Sequence, residues 1–294
     1  MESLVTLGLS TLSLFGFYAL LALGMGLVFG QLGVVNVAHG EFVMVGAYAM
    51  YAFDAVPFPL RVLVAVVLGV ALSLLTERAI LRKLYVRGML ATLLAMWGLA
   101  IVLRQLAEAV FGATPRSVAS PVQGSVEVLG VQYPAYRLVV ALVSLAVVAV
   151  ALIVVYRTSL GLKLRASIDN RDMAAVLGIP PRLMIAGTFA VGTTLAVLAG
   201  ALQSPVLGLT PGLGVAFLAP AFFAVLVVRP GSLAGPVMGA LVVALLSSLL
   251  RRYLTETVAD LFFFAALVVL IAVRPAGLSW RLPRWSSTRS KQPA

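Results

Sequence analysis

The chain reads as long apolar runs separated by short charged punctuation. From Ser3 to Ala38 there is no charged residue, although a helix rising 1.5 Å per residue needs only about 20 residues to cross roughly 30 Å of hydrocarbon. Further apolar runs lie at about 40–56, 59–76, 89–110, 136–156, 184–204, 215–229, 233–250 and 258–273. They are apolar on every side, and a lone strand in lipid leaves its backbone unpaired, so all are expected to be helical. The predicted fold is an all-α integral membrane protein. It is a polytopic transmembrane bundle of eight or nine membrane segments, some of them not fully crossing.

The charges between these runs orient the bundle. Fourteen of the 21 Lys and Arg residues fall in three stretches. These are Arg78 to Arg87, Arg157 to Arg182, and the tail from Arg274. Short loops rich in Lys and Arg stay on the cytoplasmic side, so loops 77–88 and 157–183 and the C-terminus are expected inside. Parity then puts the N-terminus outside, whether 215–229 and 233–250 are two crossings or one re-entrant pair. Met1-Glu2-Ser3 lacks the basic region of a cleaved signal peptide. The outer loop 111–135 carries Pro115, Pro121, Gly124 and Pro134 and reads as a turn-rich cap. One membrane domain, residues 1–285, is thus followed by a short basic cytoplasmic tail, 286–294. A loose echo links His39–Ala47 to Pro230–Ala240, as in transporters built from repeats with broken helices. Chance similarity in Gly/Ala/Val-rich sequence explains it equally well, so an inverted repeat stays open.

Composition removes the other classes. Hydrophobic residues make up 62% and charged residues 11%, with mean hydropathy +1.11, against roughly half and a quarter in a soluble domain. A soluble enzyme, a disordered chain and a disulfide scaffold are excluded. The net charge of +11 follows the loops rather than a nucleic-acid face, so no nucleic-acid partner is expected. With no cysteine and one histidine, no thiolate chemistry or multi-histidine metal site is available, and a Ser/His/Asp triad is not credible with that histidine at a helix elbow.

The polar residues inside the apolar runs are the candidates for function. Asn36, His39 and Glu41 fall within six residues, bracketed by Gly33 and Gly40. Ionisable groups at membrane depth face a polar cavity or a partner. An ordinary cytoplasmic elbow, with His39 and Glu41 at headgroup level, accounts for them too, and the topology favours the elbow. Arg104 and Glu108, four apart, can neutralise one another at the outer boundary. Thr92, Gln105, Thr193, Thr194 and Gln203 can bond a small solute or a neighbouring helix. Trp97 lies mid-span and fits either a cavity wall or plain packing. In loop 157–183, Asp169 can cap a short helix, Gly178 can end it, and Pro180-Pro181 prevent continuation. Met173, Val176 and Leu177 then form one apolar stripe, which packs on the protein's own inner face or on a partner.

Three blocks carry a resemblance. The first is Asn36-Val37-Ala38-His39-Gly40-Glu41-Phe42, followed by Gly46-Ala47-Tyr48. The second is Leu84-Tyr85-Val86-Arg87-Gly88 with Thr92-Leu93-Leu94-Ala95-Met96-Trp97-Gly98-Leu99. The third is Asp169-Asn170-Arg171-Asp172-Met173-Ala174-Ala175-Val176-Leu177-Gly178-Ile179. Together with Phe189–Gly192 and Leu198–Leu202, they resemble the permease subunits of branched-chain amino acid ATP-binding-cassette importers, nearest the urea and short-chain amide branch. The resemblance runs from about residue 15 to Gly277. One departure is Val227-Val228-Arg229-Pro230-Gly231-Ser232, where the family has a glycine-rich segment. There Arg229 either snorkels to the interface or meets an anionic solute.

The resemblance implies the inner membrane and a pore-forming subunit working by alternating access. The cargo would be urea, a short amide or a branched-chain amino acid. A second related permease subunit or a second copy, two cytoplasmic ATPase subunits and a soluble solute-binding protein would complete the importer. It also implies that Asp169, Asn170, Arg171, Met173, Val176, Leu177 and Gly178 form the helix that docks on an ATPase. Asn36, His39, Glu41, Thr92 and Trp97 are the expected substrate-pathway residues. No G-x-x-x-x-G-K-[ST] motif exists in the chain, so ATP-Mg and its hydrolysis would belong to the partners and this chain would bind no cofactor. The alternative is a gradient-driven secondary transporter or channel. The scarcity of paired carboxylates inside the spans argues against proton coupling.

Overall fold

The computed structural model describes residues 2–84, 87–227 and 233–273. Tyr85 and Val86 of the second block, the Arg229 departure and the tail from Arg274 lie outside the described residues. Helix α1, Glu2–Leu32, is followed by the short α2, His39–Ala52. Helix α3, Phe58–Thr76, runs through a π turn at Glu77–Leu81 into the single turn α4, Arg82–Leu84. Then come α5, Met89–Phe111, and a hairpin of β1, Ser125–Val128, with β2, Val131–Pro134. The chain continues through α6, Ala135–Arg157, α7, Ser159–Asp169, and α8, Arg171–Val176. It ends in α9, Pro181–Gln203, α10, Val215–Leu226, α11, Gly235–Tyr253, and α12, Glu256–Val273.

Six of these helical segments are long and apolar enough to cross a membrane: α1, Phe58–Leu84, α5, α6, α9 and α11. With lipid as solvent there is little hydrophobic drive between helices, so packing depends on how closely backbones approach. Helix α1 sits at the centre, buried on all sides from Phe17 to Val28, and packs on α6, α9, α10 and α11. On the outer ring, α3, α5 and α6 expose apolar faces such as Leu63, Val67, Leu94, Leu142 and Ile153. The α2–α9 contact shows what close approach requires. A Cβ on Gly46 would collide with the Val197 carbonyl, and one on Gly200 with the Val43 carbonyl.

Two predicted spans are corrected in kind. The runs at 40–56 and 215–229 hold helices of 14 and 12 residues, about 21 and 18 Å long and too short to cross as helices. Each is preceded by non-helical chain, 33–38 and 204–214. Irregular backbone at that depth is tolerated only inside protein, and Val34, Asn36, Ala38, Ser204 and Leu209 are accordingly buried. Both loops also hold structure that their composition hides. The outer cap contains the hairpin, whose Leu129-Gly130 turn has positive φ at both residues (51° and 82°), as a two-residue hairpin loop demands. The inner loop folds into α7 and α8. The echo at 230–240 lies partly outside the described residues, and its remainder, Met238–Ala240, belongs to α11.

Candidate functional site

The Asn36–Glu41 cluster is not a headgroup elbow. After α1 ends at Leu32 the chain turns back, and His39 Nε2 lies 3.0 Å from the Leu21 carbonyl. Leu21 is eleven residues before the end of α1, about 16 Å along its axis. His39 and Glu41 are 1% and 2% exposed. Asn36 shapes this entry: its Oδ1 accepts from the Ala38 N–H at 3.1 Å, and its carbonyl accepts from the His39 N–H at 3.0 Å. The start of α2 abuts the start of α10. A Cβ on Gly40 would meet the Gly214 carbonyl, and one on Gly214 the Gly40 carbonyl. Two short helices thus present their N-terminal ends to each other within the bundle, an arrangement whose unpaired N–H groups and dipoles favour negative or polar groups.

Glu41 carries the charge at this junction. Arg104 Nη2 on α5 donates to Glu41 Oε1 at 2.6 Å. This corrects the expected Arg104–Glu108 pair: Glu108 instead accepts from Gln105 Nε2 at 3.4 Å. A buried carboxylate needs its charge met directly, and the sequence-neighbour rule misses a partner 63 positions away. Asn36 Nδ2, His39 Nδ1 and Glu41 Oε2 are buried without a partner among the described residues. Thr92 faces the same region. It is buried, its hydroxyl donates to the Gly88 carbonyl at 3.2 Å, and it shares with Asn36 a cavity of about 10 Å³. A cavity of that size admits at most a water. Trp97 does not join them, since its side chain is 55% exposed on the outer ring. Thr193 and Thr194 carry buried, unpaired hydroxyls on α9.

The second candidate lies at the end of the bundle that carries α7 and α8. Asn170, not Asp169, caps α8, with its Oδ1 accepting from the Met173 N–H at 2.9 Å, while Asp169 closes α7. Gly178 follows at φ +80°, a left-handed stop that a side chain would strain. The apolar stripe points away from the bundle: Met173 is 56%, Val176 82% and Leu177 71% exposed. Among the described residues, the stripe is not packed on the rest of the protein. The segment is tied to the central helix. Arg171 Nη2 donates to the Gln31 carbonyl at 2.6 Å, and Gln31 Nε2 donates to Ser167 Oγ at 2.9 Å.

Comparisons with known proteins show the family. The family model described as the permease component of branched-chain amino acid transport systems matches residues 8–272. The high-affinity branched-chain amino acid transport system permease protein LivH of Salmonella typhimurium is 28% identical, over 90% of this chain and 91% of its own. BraD of Pseudomonas aeruginosa, named as the same kind of permease, is 26% identical over 90% and 92%. A probable branched-chain amino acid transport permease, LivH of Methanocaldococcus jannaschii, is 27% identical over 88% and 85%. No solved structure matches the chain. With the family model spanning nearly all of a polytopic helical bundle, this chain is a membrane permease subunit and belongs to the branched-chain amino acid transport permease family.

Proposed function

We propose that the chain is one half of the pore of an ATP-driven importer for branched-chain amino acids in the inner membrane. It pairs with a second permease subunit or a second copy, two cytoplasmic ATPases that bind ATP-Mg, and a soluble solute-binding protein. The observation that carries the reading is the exposed Met173/Val176/Leu177 stripe. Three apolar side chains presented to water on a short capped helix call for a partner. Closure of the ATPases would pull on α8, and the Arg171–Gln31–Ser167 links would pass that motion to α1. The Leu21 carbonyl of α1 in turn holds His39 at the junction of α2 and α10. Alternating access would follow from rocking of these central helices around the non-helical stretches 33–38 and 204–214.

Orientation follows from charge. On the side of α7 and α8 the described residues hold nine Lys and Arg against three Asp and Glu. On the side of the hairpin they hold five against six. The positive-inside rule makes the first side cytoplasmic, with the N-terminus outside. The names of the relatives favour an aliphatic amino acid over urea or a short amide as cargo. Uptake into sealed vesicles, with and without the ATPase subunits and ATP, tests the proposal. Uptake that needs both supports it, and ATP-independent uptake down a gradient would make the chain a secondary transporter or channel.

A further inference from the structure

At the outer end of the bundle, five separate segments line an open cleft of about 420 Å³, large enough for a small solute. One wall is a single face of α1, where Thr6, Ser10, Ser13 and Phe17 recur at helical spacing. Facing it are Tyr133 of β2 and Arg137 at the start of α6, then Gln203, Val206 and Leu207 at and just after the end of α9, and Ser248, Arg251 and Arg252 on α11. The cleft is chemically two-ended. Leu7, Leu14, Phe17, Val206, Leu207 and Phe217 form its apolar part, and Phe17 meets Phe217 edge-on at 4.8 Å.

Its polar part holds three guanidiniums, two of them already engaged. Arg251 pairs with Glu256 at 2.9 Å and Asp260 at 2.8 Å, and Arg252 donates to Ser3 Oγ at 2.6 Å. Arg137 has no charged or hydrogen-bonding partner among the described residues. Three polar atoms in the wall are buried and unpaired: Gln203 Oε1, Tyr133 OH and Ser248 Oγ. Their residues are 4%, 4% and 7% exposed. Buried polar atoms without partners are costly, and here they sit beside an open cleft, a free cation and an aliphatic wall.

We infer that this cleft receives an aliphatic α-amino acid before translocation. Its carboxylate meets Arg137, its side chain lies against the Leu7/Leu14/Phe17 wall, and its ammonium meets the Ser10 hydroxyl and, once the buried Gln203 amide turns toward the cleft, Gln203 Oε1. The identity of the amino acid rests on the importer reading; the chemistry of the cleft does not. Urea offers neither a charge for Arg137 nor an apolar end for the wall. Val206 and Leu207 belong to the non-helical stretch 204–214, which leads to the start of α10 at Gly214. Occupancy would therefore be felt at the α2–α10 junction.

The test is equilibrium dialysis of radiolabelled leucine against the full chain, purified with whatever subunits accompany it, in nanodiscs without binding protein or ATP. Saturable retention is expected, displaced by unlabelled leucine but not by urea, and displaced much less well by leucinamide, which lacks the carboxylate. Arg137→Gln should weaken leucine about tenfold and erase the preference over leucinamide. Gln203→Leu should also weaken leucine. Arg61→Gln, a substitution at a cation outside the cleft, should change nothing. Absence of saturable retention, unchanged leucine selectivity in Arg137→Gln, or a phospholipid found in the cleft by native mass spectrometry would each overturn the inference. Because the readout uses no ATP, failure of ATP-driven uptake would fail the importer reading alone.

Discussion

Replacing Leu177 with Asp separates a docking surface from a folding surface. In the free chain Leu177 is 71% exposed, so an aspartate there meets water and the bundle loses almost no burial. The docked state differs. Covering a leucine fully is worth about 1.5–3 kcal/mol, so covering the exposed seven-tenths contributes about 1–2 kcal/mol. An aspartate forfeits that and adds the cost of desolvating a carboxylate in an apolar contact, several kcal/mol unless it finds a cation. A net loss of about 4 kcal/mol weakens association roughly a thousandfold. Leu177→Asp should therefore insert, purify and melt like the parent, while the ATPase subunits no longer co-purify and uptake stops. Co-purification from detergent-solubilised membranes and uptake into vesicles read the two effects separately. If Leu177→Asp keeps its ATPases, the stripe is not the docking face. If the variant instead loses its membrane fold, the stripe packs inward and is not a coupling surface.

Other expectations address the cap, the ion pair and the packing. Asn170→Ala removes the cap of a six-residue helix, worth about 1 kcal/mol. It should lower ATPase co-purification, whereas Asn170→Ser keeps an acceptor and should nearly restore it. Glu41→Leu leaves Arg104 without its partner. Because Arg104 is 35% exposed, the cost should be about 1–3 kcal/mol rather than the full penalty of a buried charge. Glu41→Leu combined with Arg104→Leu should recover most of the melting temperature lost by Glu41→Leu alone, as followed by gel filtration after heating; no recovery would mean that the pair does not hold α2 to α5. Gly46→Val forces a side chain into the Val197 carbonyl and should cost about 1–3 kcal/mol or more. Gly187→Ala, with open space at its Cβ, should be neutral or mildly stabilising in the same assay.

Legibility in the sequence depended on which force set each feature. Span positions were readable because bilayer thickness imposes a length on every apolar run. The stop at Gly178 was readable because a left-handed residue leaves a compositional mark. The break after Leu32 was half readable. Gly33, Asn36 and Gly40 marked it, but an uncharged run from Ser3 to Ala38 looks continuous whether it crosses or turns back. The hairpin was hidden because its turn is Leu-Gly rather than the usual Asn-Gly or Asp-Gly. Arg104 found Glu41 across the bundle while the local i,i+4 rule pointed to Glu108.

The division between centre and rim was the least legible. In water, amphipathic period reveals a helix's buried face, but a membrane helix is apolar toward both protein and lipid. Neither α1 nor α6 announces its role by hydrophobicity, although only α1 is enclosed. What distinguishes them is where a backbone must touch another backbone, as at Gly46 against Val197 and Gly40 against Gly214. Those contacts depend on pairs of small residues more than 150 positions apart. The outer cleft is likewise assembled from residues far apart in the sequence. Arg137, Gln203 and Ser248 are unremarkable one at a time, and they become the proposed amino-acid site only when the packing of α1, α6, α9 and α11 sets a cation, a buried amide oxygen and an aliphatic wall around one volume.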